Sequence, residues 1–129
     1  STLGATFTTA AAAEGLRVTV DSGSLIRGSF FRSDHFAFAR KGVPALSLES
    51  GHEFIDRPAG WGEQQQEEYG ANRYHQPQDE LLPWFTMEGA AQQIRVILRT
   101  ALAVANAPAQ PRWSAGSEFR AAGEVRVRP

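Results

Sequence analysis

Residues 72 to 80, NRYHQPQDE, hold the grouping most suggestive of chemistry in this chain. A tyrosine and a histidine stand side by side, and an aspartate follows the histidine by four residues. A neutral imidazole is a metal ligand, and a carboxylate such as Asp79 can accept its other N–H and fix the ring. A phenol beside it, Tyr74, can donate to a developing oxyanion. The plainer reading of His75 is a solvated loop histidine, because one imidazole does not make a metal site.

Two further stretches carry titratable groups. In FFRSDHFAFARKGVPAL (30–46), Asp34 and His35 fall in the first turn of an expected short helix, where an anion is favoured, with Arg32 just before them. Ser33 and Asp34 are equally good helix caps, which leaves His35 as a surface residue. In GHEFIDRPAGWG (51–62), His52, Glu53 and Asp56 are chelators by type. The spacing is not H-E-x-x-H, so the set is not read as a ligand group. Trp61, between Gly60 and Gly62, reads as a loop anchor or pocket wall.

The elements that must position these residues follow from pattern. Alanine-rich Ala5 to Glu14 predicts a helix stopped by Gly15. LRVTV (16–20) and VPALSLE (43–49) predict strands, the second with Pro44 near its start. Between them lie a loop over 21–32 and a helix from Ser33 to Arg40 or Lys41, closed by Gly42. Residues 50–80 predict a long polar loop, a length that in compact domains is usually functional or disordered, and its aromatics argue against disorder. Thr86 should cap a helix over about 87–106, with Ala90, Ile94, Ile97, Leu98, Ala101 and Ala105 as its buried face. The tail, 107–129, is expected to wrap the surface or be partly disordered, with Trp113 and Phe119 as anchors.

Composition narrows the classes. At 129 residues the chain makes one modest domain. A net charge of −1 and scattered basic residues give no footprint for nucleic acid. No stretch is apolar for long enough to span a membrane. The absence of cysteine excludes disulfides and thiolate metal sites, and no signal peptide is visible. The first residue is Ser1 rather than Met, and two strands with open edges make a poor sheet. Both lead us to expect a piece of a larger fold.

Taken together, FFRSDHFAFARKGVPALSLESG, RPAGWGEQQQEEYGANRYHQPQDE and PRWSAGSEF resemble the C-terminal part of a zinc aminopeptidase of the M28 family, over roughly residues 16 to 119. The resemblance implies an α/β/α sandwich with a mixed central sheet, incomplete in this chain, with residues 1–106 forming the C-terminal part of the catalytic domain. It implies two zinc ions held by His, a bridging Asp, Glu, a second Asp and a final His, with a separate Glu as general base. His75 matches the final histidine and Tyr74 an oxyanion donor. Asp34 resembles an acid behind the ligands, and Arg32 a residue that binds substrate or product. Nothing here matches the remaining donors; Asp21 and Glu49 lack the motif context.

The resemblance further implies a peptide substrate, a missing N-terminal part of the catalytic domain as partner, and a periplasmic or secreted parent. The expected function is a fragment of an enzyme that removes N-terminal amino acids, inert alone and prone to self-association. The alternative is a non-catalytic α/β module whose 50–80 loop binds a peptide or protein.

Overall fold

The computed structural model describes residues 1–20, 22, 26–81 and 86–126. Asp21, part of the 21–32 loop and the last three residues of the tail therefore lie outside the described residues. The elements are helices α1 (Thr2–Ala13), α2 (His35–Arg40), α3 (Trp61–Asn72), α4 (Glu88–Ala105) and α5 (Arg120–Arg126), with a 3-10 turn at Ser29–Arg32. The chain divides into two units: one of Ser1–Ser47 with Glu88–Pro129, the other of Leu48–Met87.

This corrects the expected architecture. No strand occurs among the described residues, and no mixed sheet, so the chain is helical rather than an α/β sandwich. Residues 16–20, rich in β-branched side chains, and residues 43–49 both have irregular backbone. A strand exists only through a partner's hydrogen bonds, and a short segment without one gains nothing from extension. The side chains show the same shortage: Val18, Val20, Val43 and Leu48 are all exposed.

In the first unit α1 forms where alanine, the best helix former, accumulates. It stops as the sequence predicts. Gly15 takes φ +73°, its N–H reaches Ala12 O, and the Leu16 N–H reaches back to Ala11 O at 2.9 Å. That is a Schellman closure, and it needs a residue tolerant of left-handed φ. Leu16 then packs with Phe7 against the small core of Ala10, Ala11 and Val96, which joins α1 to α4.

Helix α4 matches the predicted span, but not the predicted face. Val96 and Thr100 are buried, whereas Ile94, Ile97, Leu98 and Leu102 are exposed. Beside this contact Glu14 is only 9% exposed and bridges both Arg95 and Arg99 of α4, at 2.7 and 2.6 Å. The amide of Gln92 donates to Glu14 O at 2.7 Å.

Helix α2 closes by a second Schellman arrangement. Gly42 has φ +82°, its N–H meets Ala39 O, and the Val43 N–H meets Phe38 O. The expected cap is absent: the Ser33 hydroxyl donates to Ser29 O instead, and Asp34 occupies the cap position without a side-chain hydrogen bond. An aromatic cluster of Phe30, Phe36, Trp113 and Phe119 lies beside it.

The second unit departs most from the expected long loop. Twelve residues of it form α3. Gly62 lies so close to the His52 carbonyl that a Cβ would overlap it. Trp61 is an anchor here, edge-on to Phe54 at 5.1 Å and capped by the Arg57 guanidinium at 5.0 Å.

Candidate active-site segment

The segment that follows α3 is shaped by the way that helix ends. The N–H groups of Arg73 and Tyr74 both donate to Tyr69 O at 2.9 Å. The chain then turns, with the Gln76 N–H on Arg73 O and the Asp79 N–H on Gln76 O. His75 sits inside this turn at φ 59°. It is the one non-glycine residue with positive φ among the described residues. Left-handed backbone costs an L-residue ~1–2 kcal/mol, so surrounding bonds must hold it there. The Tyr74 and His75 rings stack, with centroids 3.8 Å apart and planes at 22°, and both side chains are exposed.

Asp79 is held by a residue that the sequence reading did not single out. The Tyr69 hydroxyl donates to Asp79 Oδ2 at 3.1 Å, and no hydrogen bond joins Asp79 to His75 among the described residues. The carboxylate and its negative charge push the Tyr69 phenol above its ordinary value of 10.0, so Tyr69 stays a donor. The signal available in sequence was spacing: Tyr69 lies one helical turn and one residue before Tyr74. Tyr69 and Tyr74 are themselves near neighbours, with ring centroids 6.0 Å apart.

Arg32 and Asp34 belong to the first unit, and Tyr74, His75 and Asp79 to the second. Arg32 ends the 3-10 turn and Asp34 precedes α2; both are exposed. For their neighbour His35 the plainer expectation is a surface residue. The structure instead buries its Nε2 with no hydrogen-bond partner and sets its ring against Phe30 at 4.5 Å.

Residues 1–102 match the sequence profile of Peptidase family M28. The chain belongs to that family. The match covers α1, which the resemblance left out, and stops before the PRWSAGSEF stretch of the tail. No curated protein and no solved structure matches the chain. Membership relates the chain to peptidases, and the family is generally zinc-dependent. The described donors do not make a zinc site by themselves. No group of three or more His, Asp or Glu stands together among the described residues, and zinc in proteins takes three or four protein ligands. His52 faces Glu63 at 4.0 Å, and His75 is stacked on a phenol.

Proposed function

We propose that this chain is the C-terminal part of a zinc-dependent aminopeptidase that removes N-terminal amino acids from peptides, and that it is inert alone. The observation that carries the reading is the Tyr74–His75 turn within an M28 family match. A strained backbone at an exposed histidine is a feature that clusters at functional sites. In this reading His75 gives one ligand of a zinc set completed by residues outside the chain, and zinc would supply an activated water. Tyr74 donates its hydroxyl to the oxyanion formed from the substrate carbonyl, a role supported by its exposure. Tyr69 and Asp79 brace the turn through their hydrogen bond. The parent enzyme works in the periplasm or outside the cell.

Replacing His75 with Ala in the full-length enzyme tests the reading, with bound zinc measured beside aminoacyl-anilide hydrolysis. We expect most activity to go and metal content to fall. Retention of both metal and rate would refute it and favour a non-catalytic module binding a peptide or protein. The complete exposure of Ile55, at 99%, is the observation on that side.

A further inference from the structure

The tail segment 110–126 lies beyond the family match, yet it is built into the first unit. The Trp113 indole N–H and Arg126 Nε both donate to Gly42 O, at 3.2 and 3.3 Å. Gly42 admits this approach because it has no Cβ; one would collide with the backbone of Ala122 and Gly123. Around this seat the tail and Gly42 border a partly open cavity of about 260 Å³, lined among others by Trp113, Arg112, Arg120, Glu124 and Arg126.

The charges of this cavity do not balance. Arg120 is paired with Glu124 at 2.7 Å. Among the described residues Arg126 is held by neutral acceptors: Gly42 O, the Gln110 amide oxygen at 2.7 Å and Pro111 O. Those bonds fix the guanidinium without cancelling its charge. The Arg112 guanidinium has no partner among the described residues. Two cations therefore face one cavity without a counter-charge among the described residues, beside an indole ring. A planar guanidinium matches an oxyanion in shape and charge, and an indole offers a flat apolar platform. The volume lies just below the range of drug-sized sites, which fits a ligand of one small ring or a short branched chain.

We propose that this cavity binds a small organic oxyanion, a carboxylate or phosphate carried on an apolar body, with Arg112 and Arg126 meeting the charge and Trp113 the body. No residue of the proposed peptidase segment takes part, so this proposal stands or falls separately from that reading.

Titration of the full chain with benzoate, phenyl phosphate and neutral benzamide tests it, read by NMR at the Trp113 indole N–H, assigned with Trp113→Phe. We expect a saturable shift with at least one of the two anions and about tenfold weaker binding of benzamide. A preference for benzoate identifies a carboxylate ligand; a preference for phenyl phosphate identifies a phosphate. Arg112→Gln should weaken the anion about fivefold while leaving the rest of the spectrum in place, and Arg112→Lys should recover part of the loss. Silence with both anions, equal binding of benzamide, or unchanged affinity in Arg112→Gln would each overturn the proposal.

Discussion

At the scale of single residues, His75 carries two separable properties: a left-handed backbone and an imidazole. Glycine adopts that backbone without steric cost, whereas alanine does not. His75→Gly should therefore be more stable than His75→Ala by about 1 kcal/mol, measured by chemical denaturation, although both lack the ring. In the full-length enzyme both should be equally inactive if the imidazole is the working group. If activity follows stability instead, the residue matters for the turn alone. Tyr74→Phe keeps the stack on His75 and removes only the hydroxyl. A donor that strengthens in the transition state shows in kcat more than in KM, and losing one costs about 10²–10³ in rate. A Tyr74→Phe enzyme with unchanged kcat would remove Tyr74 from the chemistry.

At the scale of elements, the joint between α1 and α4 rests on few apolar atoms and on the bridge from Glu14 to Arg95 and Arg99. Hydrogen bonds from the two guanidinium groups hold the Glu14 carboxyl below its ordinary value of 4.5. A carboxyl depressed in the folded state stabilises it above the unfolded pKa, and that contribution disappears as pH falls through the folded value. The melting temperature should accordingly drop as pH falls below about 4.5, and Glu14→Gln should flatten that part of the profile. An unaltered acid limb in Glu14→Gln would show that the bridge adds no stability.

The same elements show what the sequence could and could not disclose. Helix ends at Gly15 and Gly42 were legible because the left-handed closing residue is a local requirement. The strands at 16–20 and 43–49 were not, because β-composition records a preference that only a partner can realise. The α4 stripe was read correctly as apolar and wrongly as buried: periodicity identifies a face, while the rest of the fold decides whether anything covers it. Of the site, the Tyr74–His75 pair and Asp79 were visible by type and spacing. The brace from Tyr69 was not, since it depends on α3 ending where it does within a stretch read as loop.

At the scale of the whole molecule, the described core holds one fully buried large side chain, Val96. Ile94, Ile97, Leu98 and Leu102 present a continuous apolar face on α4 that nothing described covers. Burial is the main favourable term in folding, and a contiguous exposed apolar patch is characteristic of a surface that contacts another protein. In the proposed full-length enzyme the missing part of the catalytic domain would cover this face. For the chain alone in water, a second copy is the available cover. We therefore expect the isolated chain to sediment as an oligomer at high concentration, and its melting temperature to fall on dilution, because association adds to stability by mass action. Leu98→Lys places a charge in the middle of the face while leaving Val96 packed on Ala10 and Ala11 of α1, so it should yield monomer with helix content retained in circular dichroism. It should also abolish the dependence of melting on concentration. A wild-type chain that is monomeric throughout the dilution series, with one cooperative melt at a fixed temperature, would show that the α4 face is tolerated in water and that the small core suffices.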